Sequence, residues 1–516
     1  MGRIVTQKRS DAVFPVLFPT VSGLFHWGEH CVNHRGAGTL PRVEEGIGWG
    51  RNLGKTARIS GDRPGIPMMP RRQRCRGDGA NPLSAPSTSS AHAGYNPNRL
   101  FLLSCVSLVT AAFVFSIRAA IIPELAEAFG MNNEKINGIA GLAFLGFALT
   151  VFIGSPACDW VGMGRLLFIA GALHIAGTGA TIFAKELSGS GSVDTILSIG
   201  MFTVGLAHGL VEAVINPLAA TIYPEEKTHK LNVLHAWWPG GLVLGGLIAT
   251  FLGQAGMNWQ VKQAVVLLPA ILYVALLIGQ KFPQTERVTS GVSNADMFKQ
   301  AANPLFLAFL FCMLLTASME LAPNQLLETL SKTIGMEGTL VLSYVSFLMF
   351  AMRFFAGPVA HKLSPIGLLW TSALLTGIGL IALSYSESPI IAMISATIFA
   401  VGVCYVWPTM LSVTSELFPK GGALLMGLMA TFGNIAIYFI LPEMGKITDA
   451  AVKSNLANGM AEDAAKAAAA PIAFRYVGAL PLVLIIVFGA IWMVIRARGG
   501  YRAILSQEAS ALAQGA

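Results

Sequence analysis

From residue 100 onward the chain alternates long apolar stretches with short polar ones. Twelve apolar stretches can be marked: 100–123, 137–157, 165–184, 194–222, 231–252, 262–282, 304–328, 338–360, 365–385, 389–415, 421–442 and 473–495. A helix rises about 1.5 Å per residue, so roughly 20 apolar residues cross a hydrocarbon core about 30 Å thick. The pattern therefore predicts an all-α membrane protein with twelve transmembrane helices. The longest polar interruptions are Pro283–Asn303, midway, and Glu443–Pro471, a long loop before the last span. They divide the chain into a six-helix bundle over 99–282, a linker over 283–303, a second six-helix bundle over 304–496 and a tail over 497–516.

The two halves echo one another. Phe144-Leu145-x-Phe147-Ala148 in the second span recurs as Phe347-Leu348-x-Phe350-Ala351 in the eighth, and the same register places Gly154 on Gly357 and Gly164 on Gly367. Repeats of six spans are a common way of building a solute site near the bilayer midplane, between the halves.

Composition agrees: 54% of residues are hydrophobic and 12% charged, where soluble domains carry roughly 25% charged residues. The net charge of +8 belongs almost wholly to residues 1–98, which carry 13 Lys and Arg against 6 Asp and Glu. The remainder is nearly neutral, so no nucleic-acid surface is expected. Residues 1–98 are rich in Arg, Gly, Pro and Ser and lack apolar periodicity, the composition of a disordered segment. They are expected to be a disordered or artefactual extension, with a cytoplasmic tail as the alternative. Cys105, Cys158, Cys312 and Cys404 lie in or beside apolar segments without metal-ligand spacing, and read as packing residues.

Loop charges orient the spans. With both termini in the cytoplasm, the inner loops and tail hold eleven Lys and Arg, against Lys135, Lys185, Lys262 and Lys332 in the short outer loops. Both termini are expected inside, in the inner membrane of a bacterium, with the bilayer as the permanent partner and the chain acting as a monomer.

Ionisable side chains at membrane depth are costly and usually line a wet path. His208, Glu212 and Asn216 fall at i, i+4 and i+8 on the fourth span, which stacks them on one helix face. A carboxyl out of water can exist neutral as well as charged, making Glu212 a candidate proton carrier, with His208 and His235 tuning it. Helix-spaced Thr316, Glu320, Asn324 and Glu328 repeat the device on the seventh span; Glu320 joins the proton-coupling candidates, and Glu328 reads equally as an interfacial residue. On the fifth span Asn232, His235 and Trp238 share a face. Asn216, Asn232, Asn324, Gln325 and Asn434 offer hydrogen bonds to a polyol, and Trp238 and Trp407 offer flat stacking faces; a tryptophan at the membrane interface is the alternative. Arg118 on the first span either neutralises a substrate anion or pairs with Glu212 or Glu320. His174 reads as a hydrogen-bonded packing residue. No metal-binding motif or nucleophile–base constellation appears, so neither enzyme nor cofactor is expected.

The loop Gly154-Ser-Pro-Ala-Cys-Asp159-Trp-Val-Gly162-Met-Gly164-Arg165 resembles the major facilitator superfamily signature between helices two and three, a glycine, an aspartate, a glycine and a basic residue; here Ser155 takes the first glycine's place and the basic residue comes late. The resemblance implies a gating role for Asp159 and Arg165. Arg353, near the inner end of the eighth span and before the degenerate copy Gly357-Pro-Val-Ala-His361-Lys362, is a looser gate candidate. Glu212-x-x-x-Asn216-Pro217, Pro224-Glu225 and Leu231-Asn232 resemble the fucose and glucose/galactose permease group, which implies proton coupling and sugar recognition at Glu212. The first span departs from that group, with Ala119 where an acidic residue stands.

The expectation is a secondary transporter that couples a proton to uptake of a small polar, sugar-like solute. An exporter of amphipathic compounds is the alternative, and a membrane sensor or intramembrane enzyme a more distant one.

Overall fold

The computed structural model describes residues 94–131, 133–189, 191–333, 338–502 and 504–505; within α-helices the side chains of 324–333 and 338–340, among a few others, lie outside the described residues. The segment 1–93 also lies outside them, and so does nearly all of the expectation about 1–98.

The first half contains α1 (Pro97–Ala128), α2 (Asn133–Trp160), α3 (Met163–Ile182), the one-turn α4 (Ala184–Ser188), α5 (Val193–Ile222), α6 (Lys227–Gln254), α7 (Trp259–Ala264) and α8 (Leu267–Leu277). Two short helices, α9 (Glu286–Thr289) and α10 (Asn294–Ala301), lie in the linker. The second half contains α11 (Pro304–Thr333), α12 (Gly338–Arg353), α13 (Ala356–Leu363), α14 (Pro365–Ser384), α15 (Pro389–Val403), α16 (Val406–Leu417), α17 (Gly422–Ala457), α18 (Glu462–Gly478) and α19 (Leu480–Ala497). No strand occurs among the described residues. Eleven stretches are long and apolar enough to cross a membrane, and the pair Val341–Arg353 and Ala356–Leu363, bent by 68°, makes a twelfth.

Local chemistry sets the helix ends. Asn96 precedes Pro97 and accepts from the Arg99 amide at 3.0 Å, a side-chain cap followed by a proline that lacks only an N–H the helix would leave unpaired. Ser388 and Pro389 begin α15 the same way. The expected loop over Glu443–Pro471 is instead largely helical, covered by the end of α17 and most of α18. Its charges suggested a loop, but the alanine-rich run 464–470 carries the highest helix propensity of any residue type.

Packing within the halves uses small residues, as expected where lipid offers no hydrophobic drive for helices to associate. At Gly205 of α5 a methyl group would lie 2.1 Å from the Ala143 carbonyl oxygen of α2, so only glycine permits that approach.

We call the end of the molecule that holds residue 97, residue 497 and the linker the terminal face, and the other end the far face. α6 packs against α12, α13 and α16, and α17 packs against α2 and α5, which forms the seam between the halves. All the cross-seam hydrogen bonds among the described residues involve the half of the seam nearer the terminal face. Thr228 bonds Ser412 and Glu416, each at 3.0 Å; Asn232 bonds Thr409 at 3.2 Å; and the Gly357 amide donates to His229 at 3.2 Å. The fifth joins Arg353 to the His235 carbonyl at 2.7 Å.

Candidate functional site

The polar face of α5 forms a connected run. Asn216 donates through Nδ2 to Glu212 Oε2 and to the Glu212 carbonyl, both at 2.9 Å, while its Oδ1 lies 2.8 Å from His235 Nε2 on α6. The Glu212 residue keeps 8% of its surface exposed, and no ion pair reaches its carboxyl among the described residues. Proline gives this stretch a second property. Pro217 has no N–H, so the Ala213 carbonyl loses its helical partner, and Cys158 of α2 lies 3.3 Å from it as the replacement donor.

The same physics recurs where the halves meet. Pro239 in α6 and Pro408 in α16 free the carbonyls four residues before them, at His235 and Cys404. A freed carbonyl in the apolar interior must find a donor or raise the energy of the helix. Arg353 serves both: Nη1 donates to the His235 carbonyl at 2.7 Å and Nε to the Cys404 carbonyl at 2.5 Å. Its Nη2 donates to Glu320 Oε1 at 3.1 Å, and Glu320 Oε2 is buried without a partner. Arg353 is the last residue of α12. Only 2% exposed, it sits inside the seam because the span breaks directly after it, between α12 and α13.

Arg118 takes neither pairing anticipated for it. Glu320 is engaged by Arg353 and Glu212 by Asn216. The Arg118 guanidinium lies instead over Phe115 at 5.2 Å and Phe144 at 5.0 Å, and its Nη1 has no hydrogen-bond partner. The His208 ring turns toward His174, 5.1 Å away, and His174 Nδ1 bonds the Tyr273 hydroxyl at 2.9 Å. Trp238 is half-buried against Phe115 at 5.8 Å, whereas its neighbour Trp237 reaches Phe350 of the second half at 5.6 Å. Asn232 is fully buried, with its amide nitrogen held by Thr409 and the Thr228 carbonyl. It thus joins the two halves in this conformation and offers no free donor to a solute. Asn434 is half-buried and bonds the Ala430 carbonyl at 2.8 Å, and Trp407 is half-buried. The side chains of Asn324, Gln325 and Glu328 lie outside the described residues.

At the terminal face the acid of the signature loop is tied to the linker. Asp159 pairs with Arg287 of α9 at 2.7 Å and accepts from Thr285, so α2 is tied to the linker. Arg165 is exposed, with no ion pair among the described residues. Arg165 lies in the first turn of α3. Gly422 at the start of α17 packs on the Arg287 side chain. A hollow of about 670 Å³ beside this pair is lined by first-half and linker residues, so it belongs to the gate cluster and not to the seam.

A second buried acid, Glu416 on α16, holds three elements together. Thr228 of the first half donates to its Oε1 at 3.0 Å, and Tyr501, beyond α19, donates to its Oε2 at 2.6 Å. Burial and the neighbouring Glu416 hold the Tyr501 hydroxyl well above the usual phenol range, so it remains a donor. Arg287, Glu416 and Tyr501 had no distinguishing spacing in the sequence. The freed carbonyls did, since each proline marks the residue four positions before it.

The sequence profile of the Major Facilitator Superfamily matches residues 103–440. Among solved structures the chain is similar to the E. coli fucose:proton symporter, at 15% identity and a TM-score of 0.56 over 74% of this chain and 98% of that one. It is also similar to a proton:xylose symporter (14%, TM-score 0.57, 76% and 94%) and to a human organic anion transporter (12%, TM-score 0.55, 76% and 99%). At these identities the likeness concerns the fold alone. No curated protein sequence matches the chain.

Proposed function

The chain belongs to the Major Facilitator Superfamily, and from that premise we propose that it is a proton-coupled carrier of a small polar solute, with Glu212 as the proton carrier. The observation that carries the reading is the run from Glu212 through Asn216 to His235, whose carbonyl is the group that Arg353 grips from the second half. A change of charge at Glu212 is thus two hydrogen bonds from the joint that holds the seam shut. A carboxylate without a cation is costly at this depth, and binding a proton removes that cost. Protonation therefore favours conformations in which Glu212 loses contact with water, which is the differential preference coupling requires.

Both termini lie in the cytoplasm of a bacterial cell, supported by the eleven inner Lys and Arg against four in the short outer loops. The conformation described is then the outward-facing one, closed by the cross-seam bonds near the terminal face. Rocking of the two halves would open that face in turn. The solute is sugar-like, bounded by Trp238 and Trp407, with Asn216 and Asn434 and, on the far-face part of α11, Asn324 and Gln325 as hydrogen-bonding groups. Asn232 becomes available only when its bond to Thr409 breaks.

Reconstitution into proteoliposomes tests the reading. Under an imposed pH gradient the wild type accumulates solute, whereas Glu212→Gln loses accumulation but keeps part of its counterflow exchange. Normal accumulation by the variant refutes the proton role.

A further inference from the structure

We infer that Arg118 is the binding point for an anionic group on the transported solute, and that the solute is a small monocarboxylate such as a sugar acid or hydroxy acid. The inference rests on the transport reading above and narrows its substrate class.

The contrast among buried cations carries it. Among the described residues five Lys and Arg side chains are buried: Arg118, Lys227, Lys262, Arg287 and Arg353. Lys227 pairs with Glu286, Lys262 with Glu124, Arg287 with Asp159 and Arg353 with Glu320. Of these five, Arg118 alone has no carboxylate partner among the described residues. An arginine does not shed its proton to escape burial, and a buried charge without a partner is among the least favourable arrangements in a protein. Four of the five obey that rule, so the fifth calls for a partner that is not part of the chain.

The surroundings of Arg118 fit a carboxylate. The rings of Phe115 and Phe144 lie at 5.2 and 5.0 Å from its central carbon. Such contacts stabilise the cation through the ring faces but supply no acceptor for its N–H groups, and Nη1 is left without one. A guanidinium held by aromatic rings with a free donor presents a fixed fork, the geometry that takes a carboxylate through two parallel bonds. Among the described residues no second cation lies over the Phe115 or Phe144 ring. A single fixed charge suits a monoanion better than a dianion.

Arg118 is itself buried, but its neighbours are open. Phe144 is 51% exposed and Ala119 and Ala120, next to Arg118, are exposed. Arg118 lies roughly ten residues, about 15 Å, from the far-face end of α1, on the side away from the cross-seam bonds. Trp238 stands over Phe115, so a solute held by its acid group at Arg118 has an aromatic face beside it for its carbon skeleton.

The test uses the purified full-length chain and matched pairs that differ in the acid group: galactose and galacturonate, and glucose and gluconate, with inorganic phosphate as the multiply charged control. Thermal unfolding and tryptophan fluorescence report binding. The acids are expected to stabilise the protein and the neutral sugars to do so at least tenfold more weakly. Arg118→Gln loses the acid effect while Arg118→Lys keeps part of it, and both variants unfold cooperatively without ligand. Equal binding of the neutral partners, acid binding unchanged in Arg118→Gln, stabilisation by phosphate alone, or no acid that stabilises, overturns the inference. The transport reading fails separately, if acids bind through Arg118 yet no pH gradient drives their accumulation.

Discussion

The guanidinium of Arg353 and the backbone carbonyl of His235 meet at 2.7 Å across the seam between the two halves. Neither side of this bond is an accident of packing. Pro239 removes the amide that would have satisfied the carbonyl, and the break after α12 keeps the arginine inside the seam. The same side chain takes the Cys404 carbonyl freed by Pro408, so two prolines in different halves converge on one cation.

Loss of that cation should therefore be expensive and partly reversible. Arg353→Gln leaves Glu320 buried without its partner and two carbonyls without a full donor set, for a loss of about 3–5 kcal/mol. Adding Pro239→Ala restores the helical amide opposite His235 and should return about 1–3 kcal/mol. Thermal unfolding in detergent measures both. A double variant no more stable than Arg353→Gln would show that the freed carbonyl is not what Arg353 satisfies.

The Asp159–Arg287 pair makes a prediction about the closed terminal face. Its side chains are almost wholly buried, so removing either charge strands the other and costs about 3–5 kcal/mol. Asp159→Asn and Arg287→Gln should each open the face and speed alkylation of Cys158, which is buried beside the pair. The double variant should fall well short of the summed single effects, as neighbours that share an interaction do. Additive labelling rates would mean that the two residues act independently.

Much of this was legible in the chain and the rest had identifiable reasons not to be. The spans follow from block length alone, and the α5 stripe from a four-residue spacing that puts Glu212 beside Asn216. Asp159 was marked by the signature loop, but its partner lies 128 residues on, and no local spacing encodes which basic residue the linker will present. Arg353 was read as a gate candidate from the Gly357, His361 and Lys362 that follow it; the 68° break after it was not legible, and only the prolines at 239 and 408 hinted at its partners. The charges in 443–471 suggested a loop because charge was weighed above alanine content.

Tyr501 lies beyond the last membrane helix yet is buried against Glu416, which also binds Thr228 of the first half. Tyr501→Phe removes one donor from a buried acid, worth about 1–3 kcal/mol, and should loosen the terminal face, again read by Cys158 alkylation. The pH dependence has a definite sign. A phenol held above the usual value of about 10 contributes fully below that value and loses its contribution only as pH rises beyond it. Wild-type labelling should thus show no step from loss of this donor between about pH 6 and 9. A step there that disappears in Tyr501→Phe would contradict the assignment.

Charge balance gives the last prediction. If Glu212 carries one proton and Arg118 holds one carboxylate, the loaded carrier moves no net charge supplied by its cargo. Uptake of a monocarboxylate should then follow the pH gradient and ignore the membrane potential. A potential of 100 mV is worth about 2.3 kcal/mol per elementary charge, or roughly fifty-fold in accumulation ratio if one charge crosses. The measurement is proteoliposome uptake at a fixed pH gradient, with a potassium diffusion potential of either sign set by valinomycin. A ratio unchanged by the sign of the potential is expected. A response approaching fifty-fold would mean that a positive charge accompanies the cargo. The proton would then travel with a neutral solute, leaving the uncompensated guanidinium of Arg118 without the anion assigned to it.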